Sequence, residues 1–132
     1  MQNLLQTAVK HYLESIEAEF GECKVKPHYG LVSKISITGD KNYDIFIVVP
    51  QMKLDYIAKL WFGDSNDYDK EDLTKEIANL IVGNAKMLAE ENGMNVTLST
   101  PEFLDEYEKI ECDNILKFKF KNRCFYVMFK EK

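Results

Sequence analysis

Residues 115–129 read ILKFKFKNRCFYVMF, and this stretch decides the fold class. Its first half alternates between apolar residues, which are Leu116, Phe118 and Phe120, and basic residues, which are Lys117, Lys119 and Lys121. A period of two places alternate side chains on opposite faces of a strand. Residues 121–123 can turn the chain, and the alternation resumes with Phe125, Val127 and Phe129. The stretch therefore predicts an antiparallel hairpin with one buried face.

A second hairpin is predicted from residues 31–49. Residues 31–38 alternate, with Leu31, Ser33, Ile35 and Ile37 on one side. Residues 43–49 read YDIFIVV, a run rich in β-branched and aromatic residues and apolar on both faces. Such a run is typical of a strand buried inside a sheet, so we expect it to be central. The intervening Gly-Asp-Lys-Asn at 39–42 can form the turn.

Three amphipathic helices are predicted, at residues 2–20, 51–62 and 70–92. Gly21 supplies a stop for the first, Asp69 an N-cap for the third, and Asn92 with Gly93 its end. A short strand is expected at 95–99, stopping at Pro101, and residues 102–113 follow no assignable pattern. The predicted order is α-β-β-α-α-β-β-β over one domain, residues 1–132. This order predicts an α+β fold, a mostly antiparallel sheet packed with helices on one face or both.

The composition excludes several classes of function. The net charge is −5 and no Lys or Arg cluster is visible, which disfavours a nucleic-acid-binding surface. No apolar stretch of about 18 residues and no basic, apolar leader is present, so we expect a cytoplasmic chain without a membrane span. The three cysteines, Cys23, Cys112 and Cys124, are odd in number and widely spaced, and we expect free thiols. His11 and His28 lack metal-ligand spacing, so no intrinsic metal is expected.

The predicted helix at 70–92 carries the most informative pattern. At about 100° per residue, an apolar arc contains Leu73, Ile77, Leu80, Ile81 and Leu88. A separate arc contains Asp72, Glu76, Asn79, Gly83, Lys86 and Glu90. An ordinary solvated face is one interpretation of this second arc. However, Asn79 is a poor helix former, and Gly83 costs about 1 kcal/mol relative to Ala. Both choices make sense if another chain approaches the helix backbone there. Asn84 falls in the apolar arc and is interpreted as a structural, hydrogen-bonded amide.

The spacing of this polar arc resembles a family signature. An acidic residue, three residues, Glu, two residues, Asn, twenty-one residues and Pro correspond to Asp72, Glu76, Asn79 and Pro101. This pattern resembles the CheC/CheX/FliY family of chemotaxis phosphatases, and residues 76–86 resemble the CheX branch in particular. The first predicted helix has no Glu-x-x-Asn, so the resemblance implies one site and, as in the CheX branch, a homodimer. The apolar hairpin at 115–129 also favours pairing of two chains.

The resemblance implies hydrolysis of the aspartyl phosphate on a CheY-like response-regulator receiver. Asn79 would orient the attacking water, and Glu76 would pair with a receiver Lys. Asp72, Gly83 and Lys86 would contact the partner, although Asp72 can alternatively serve only to favour the helix N-terminus. The resemblance implies no intrinsic cofactor, because the receiver brings its own Mg²⁺.

Two other functions remain open from the sequence. The chain could be a non-catalytic adaptor that binds a receiver, or an interaction protein associated with the flagellar switch. The intact pair Glu76 and Asn79 favours the phosphatase. Pro101 is interpreted as shaping the chain after its strand.

Overall fold

The structure, a computed structural model, describes residues 2–15, 21–22, 27, 29–39, 41–50, 54–63, 69–112, 114–120 and 123–132. The helices are α1 (Gln2–Ser15), α2 (Leu54–Phe62) and α3 (Lys70–Glu91). The strands are β1 (Gly21–Glu22), β2 (Leu31–Thr38), β3 (Tyr43–Val49), β4 (Thr97–Leu98), β5 (Glu102–Glu106), β6 (Asn114–Phe120) and β7 (Arg123–Glu131). The fold is α+β, as predicted.

The strands of the described residues form one antiparallel sheet in the order β1-β6-β7-β3-β2-β4, with β5 also pairing with β2. Both predicted hairpins are present: β2 pairs with β3, and β6 pairs with β7. The run apolar on both faces, β3, lies between β7 and β2, which confirms its central position. Its side chains from Asp44 to Val49 are buried, as expected for a strand covered on both faces.

Strands β4 and β5 pair with successive parts of β2 and so form one interrupted edge. The interruption falls at residues 99–101, where the Ser99 Oγ accepts a hydrogen bond of 2.9 Å from the Ser36 backbone N–H. The Ser99 N–H donates to the Ser36 carbonyl at 2.9 Å, so both backbone groups of Ser36 are satisfied there. Pro101 has no N–H to donate, so a break in an edge strand is where it is tolerated.

The helices cover one face of the sheet. The alternating positions of β2 that include Ile35 and Ile37 contribute to a core cluster that also contains Leu5 of α1, Ile57 of α2 and Ile77 of α3. The β6–β7 hairpin contributes Leu116, Phe118, Phe125, Val127 and Phe129 to the same cluster. The period of two in the strands and the 3–4 spacing in the helices thus meet in one core.

The opposite face of the sheet has its own smaller core, made of Val32, Phe46, Val48, Tyr126 and Met128. The segment at 107–112 packs on it through Tyr107, Ile110 and Cys112. The sequence predicts no helix or strand here, because the apolar residues of the segment follow neither helical nor strand periodicity. Irregular chain therefore covers the face that the helices leave open.

Several sequence-based expectations need correction or lie outside the described residues. Strand β1 was not predicted, and β5 lies within the stretch left unassigned. The predicted helical residues 16–20 and 51–53, the turn residues 40 and 121–122, and His28 lie outside the described part of the chain. The expectation of a free thiol is wrong for Cys124, which is disulfide-bonded, whereas Cys112 forms no disulfide, and Cys23 lies outside the described residues. No described helix is long and apolar enough to cross a membrane.

A buried carboxylate on β3 ties the sheet to the C-terminal end of β7. Asp44 accepts a hydrogen bond of 2.7 Å from the Ser36 hydroxyl, and the Lys132 Nζ lies 3.1 Å from its Oδ1. The Lys34 Nζ lies 3.8 Å from its Oδ2. Burial raises the pKa of Asp44, but the hydrogen bonds from Ser36 and Lys132 and the charges of both lysines outweigh it, so the pKa lies below its ordinary value.

We expect Asp44→Asn to lower the free energy of unfolding by about 1–2 kcal/mol at neutral pH, because the replacement leaves two lysines facing a neutral amide. A lowered native pKa stabilises the fold above the pKa of the unfolded chain, and this contribution is lost as the pH falls through the native pKa. Urea denaturation of both chains at about pH 7 and about pH 3 should therefore show a difference that shrinks on acidification. A difference independent of pH would contradict this role of Asp44.

Candidate functional site

Helix α3 begins and ends where its sequence predicts. The Asp69 carboxylate caps the N-terminus by accepting a hydrogen bond of 3.0 Å from the Asp72 N–H. At the other end, the Asn92 N–H donates to the Ala89 carbonyl at 3.0 Å, and Gly93 adopts a φ of 80°. This left-handed backbone is disfavoured for residues with a Cβ, so Gly93 terminates the helix. The helix between these ends is 22 residues long.

The buried side of α3 is not the apolar arc expected from the sequence. Leu73, Ile77 and Ile81 are buried as predicted, and the buried side also includes Thr74, Ala78, Val82, Ala85 and Ala89. The prediction that Leu80 lies in the core is wrong, because its side chain is 44% exposed. The helix is rotated toward its small residues because it packs against both α1 and β2, and small side chains allow close approach on that side. The positions of the large apolar residues alone therefore do not mark the centre of the buried side of α3.

The same rotation places the predicted polar arc outward. Asp72, Glu76, Asn79 and Glu90 are exposed, while Gly83 and Lys86 are half-buried. Their spacing of three and four residues makes them neighbours along one face. At 1.5 Å per residue, the row from Asp72 to Lys86 extends about 21 Å. The structure therefore brings the predicted residues of α3 together on one surface.

Glu76 and Asn79 are not used by the fold as far as the structure describes it. Neither side chain makes a hydrogen bond or ion pair with a described residue. The nearby Lys75 lies instead against the first turn of the helix. Its Nζ is 3.5 Å from the Glu71 Oε1 and 3.9 Å from the Asp72 Oδ1. The surface thus offers a carboxylate that can accept and an amide that can donate and accept hydrogen bonds.

Gly83 lies one turn beyond Asn79, and packing within the chain does not require it. A Cβ built on Gly83 would meet no atom within 4 Å apart from the backbone of its own helix turn. Its helical φ is compatible with any residue, since the left-handed glycines are Gly30, Gly63 and Gly93. The helix nevertheless loses about 1 kcal/mol by having Gly in place of Ala. The open backbone beside Asn79 is therefore a feature that the folded monomer does not explain.

Asn84 is half-buried and turned toward α1. Its Oδ1 lies 3.2 Å from the His11 Nδ1, so that a protonated Nδ1 donates to the amide. This contact agrees with the prediction of a structural amide, although the residue is less buried than expected. Asn84 links the two helices and does not belong to the outward face.

Pro101 lies apart from the outward face of α3. It borders a shallow cavity of about 440 Å³ together with Lys34, Ser36, Ser99 and Thr100. Lys34 and Ser36 occupy the β2 positions that alternate with the core residues Ile35 and Ile37, so the cavity opens away from the helices. Within the described ranges, no three His, Cys, Asp or Glu residues cluster as metal ligands would.

Comparisons with known proteins give the family and the fold of the chain. The family model "Chemotaxis phosphatase CheX" matches residues 31–120. No curated protein sequence gives a significant match. Among solved structures, CheX from Desulfovibrio desulfuricans is similar, with a TM-score of 0.74 and 22% identity over 98% of this chain and 97% of that one.

Two further solved structures share the fold. CheX from Vibrio vulnificus has a TM-score of 0.78 and 18% identity, covering 98% of this chain and 97% of that one. The CheX of the CheX–CheY–BeF₃–Mg²⁺ complex from Borrelia burgdorferi has a TM-score of 0.73 and 18% identity, covering 98% and 96% respectively. These likenesses show the fold, and the family match spans most of the chain, including all of α3. The chain therefore belongs to the CheX family of chemotaxis phosphatases.

Proposed function

We propose that this chain dephosphorylates a CheY-like receiver, with Asn79 and Glu76 as the residues that carry the reaction. The observation that carries the proposal is the outward face of α3: an exposed carboxylate and an exposed amide, without described partners, beside a bare glycine backbone. The solved complex of CheX with CheY, beryllofluoride and Mg²⁺ from Borrelia burgdorferi supports this class of partner.

The reaction is hydrolysis of an acyl phosphate. A water oxygen attacks the phosphorus in line with the bond to the receiver's aspartyl oxygen, that bond breaks, and the products are a free carboxylate and inorganic phosphate. Phosphoryl transfer of this kind requires little covalent chemistry from the protein, so catalysis consists of positioning and charge stabilisation. In the proposal the receiver supplies the phosphoryl group and its own Mg²⁺.

Asn79 is suited to positioning the water. Its amide offers both a donor and an acceptor, and it carries no charge that the phosphoryl oxygens would repel. Its exposed position on a 22-residue helix, capped at both ends, holds the amide on a rigid element. A water held in line by the amide has already lost the freedom that otherwise adds to the barrier.

Glu76 lies three residues before Asn79, about one helical turn away on the same face. In the proposal its carboxylate pairs with a receiver Lys and so sets the register in which Asn79 meets the phosphoryl group. Three further residues extend the contact, namely Asp72, Gly83 and Lys86. Gly83 permits close approach, Asp72 contributes a negative charge and Lys86 contributes a positive charge. The proposal includes a cytoplasmic location, where such a receiver would be encountered.

The proposal also includes a homodimer. The outer edge of β6 is paired by β1 only at Phe118 and Lys119 within the described residues. Residues 114–117 of that edge meet no described strand, and Ile115 there is 40% exposed. An unpaired strand edge with an exposed apolar side chain can pair with a second chain.

Asn79 is the first of the proposed site residues to test. We expect Asn79→Ala to reduce the rate of catalysed dephosphorylation by about 10²-fold, the scale of losing a positioning contact. Stability should rise slightly, by about 0.5 kcal/mol, because Ala is the better helix former. Binding to the phosphorylated receiver should persist, since the amide acts mainly in the transition state. Phosphate release and receiver affinity, measured separately, check this.

Matched variants sharpen the Asn79 test. Asn79→Asp keeps the shape but replaces the donor with a charge that repels the phosphoryl oxygens, so it should lose at least as much rate as Ala. Lys59→Ala, which removes an exposed helical side chain on α2, should leave the rate unchanged. If folded Asn79→Ala releases phosphate as fast as wild type, Asn79 does not position the water. If the wild-type chain binds the receiver but does not accelerate phosphate release, the chain is instead a non-catalytic adaptor.

Glu76 should behave differently from Asn79 in the same assays. Glu76→Ala and Glu76→Gln remove the charge, so both should weaken docking as well as rate. Wild-type affinity should fall with added salt, because exposed charge pairs are screened, and the two variants should show a smaller salt dependence. Equal salt dependence in wild type and Glu76→Gln would show that the carboxylate does not pair with the receiver.

The next prediction separates stability from docking at Gly83. We expect Gly83→Ala to raise the free energy of unfolding by about 0.5–1 kcal/mol, since the new methyl meets open space. The same methyl should weaken receiver binding by roughly tenfold, or about 1.4 kcal/mol, because the partner approaches the backbone there. Chemical denaturation and binding titration give the two quantities. A stabilised variant with unchanged receiver affinity would show that close approach at Gly83 is not needed.

For the homodimer, light scattering at micromolar concentration should give the mass of two chains. Ile115→Lys should shift that mass toward one chain, because it places a charge on the unpaired edge. A wild-type chain that is monomeric under these conditions would contradict the dimer. A dimer that survives the Lys substitution would place its interface elsewhere.

A further inference from the structure

Two large apolar side chains on α3 are left in solvent. Leu80 is 44% exposed and Met87 is 59% exposed. Leu88 of the same helix, by contrast, is partly buried and packs against the core cluster. The other exposed large apolar side chains among the described residues lie off the helix, at Met94, Leu104 and Ile115. The exposure of Leu80 and Met87 is a consequence of the rotation of α3 toward its small residues.

These two residues share a row with the proposed site. Glu76, Leu80, Gly83 and Met87 are separated by four, three and four residues, which aligns them along one side of a helix. The row is about 16 Å long at 1.5 Å per residue. Its polar end is Glu76, its remainder is apolar, and the open backbone of Gly83 lies between the two large side chains.

A folded partner whose contact is centred on Asn79 also covers this row. A standard interface covers about 800 Å² on each partner, equivalent to a disc of about 16 Å radius. Leu80 is the next residue after Asn79, and Met87 lies about 12 Å from Asn79 along the helix axis. Both side chains therefore fall inside a footprint of this size that is centred on the amide.

We infer that Leu80 and Met87, on either side of the open backbone of Gly83, are the apolar docking contacts for the phosphorylated receiver. This inference rests on the proposed function. On the outward face of α3, Asn79 would then act on the reacting group, Glu76 would set the register, and Leu80 and Met87 would hold the partner. Side chains packed in desolvated pockets near the centre of an interface supply most of its binding energy, whereas charges exposed at the rim supply little.

Contacts of this kind leave a kinetic signature. They are the same in the bound ground state and in the transition state, so their loss raises KM and leaves kcat unchanged. Asn79, by contrast, should change kcat. The two kinds of residue can therefore be distinguished in the same assay.

The test uses Leu80→Gln, Met87→Gln and the double variant in the full chain. Gln is a good helix former and polar, so the helix is retained while the apolar contact is lost. Each single variant should raise KM for the phosphorylated receiver by about tenfold, and the double variant by about 100-fold, since the sites are about 10 Å apart. The kcat should stay within about twofold of wild type. Leu104→Gln is the matched control, because Leu104 is 38% exposed and lies on β5; it should leave both constants unchanged.

The outcomes separate this inference from the function on which it rests. A wild-type chain that does not accelerate phosphate release contradicts the proposed function itself. An active wild type, with KM unchanged in the double variant, overturns the docking inference and leaves the function intact. Light scattering of the same variants should give the wild-type mass. If Leu80→Gln or Met87→Gln converts a dimer to a monomer, a second copy of this chain occupies the row, and the inference is also overturned.

Discussion

Helix α3 is buried along a side rich in small residues, and the candidate site depends on this packing. Ala78, Val82, Ala85 and Ala89 are buried together with larger apolar residues where the helix meets α1 and β2. A helix has one rotation about its axis at which such a side faces inward, because rotation by a single residue step of about 100° would bring exposed polar groups into the core. That rotation directs Glu76, Asn79 and Gly83 to solvent.

The opposite side of α3 consequently does not pack on the core of the protein. Asn79 and Gly83 are poor choices for helix stability, and Leu80 and Met87 are poor choices for solubility, yet all four lie on this side. Stability is provided elsewhere, by the two-sided burial of β3, by the helix caps and by the core under the three helices. Substitutions on the outward face should therefore alter binding and rate without unfolding the chain, which makes this face experimentally accessible.

Much of the architecture could be predicted because local patterns and global packing agree. The alternation at 115–129 and the doubly apolar run at 43–49 predicted the two hairpins and the central strand. Asp69 and Gly93 predicted the ends of α3, because capping depends on a few neighbouring residues. The segment at 107–112 could not be predicted: its apolar residues have no regular spacing, and their burial depends on the sheet face that receives them.

The sequence by itself determined the fold class, the hairpins, the helix ends and the spacing that groups Glu76 with Asn79, since each rests on short-range periodicity or on a motif. Only the tertiary structure decided which side of α3 is buried, and it moved Leu80 from the expected core to the surface. It also joined β4 and β5 into one interrupted edge and paired Asp44 with Lys132. The physical reason is that periodicity shows which residues share a helical face, but the face that is buried depends on the shape of the neighbouring elements. Small side chains leave little hydrophobic signal in a sequence but allow the closest approach in a fold.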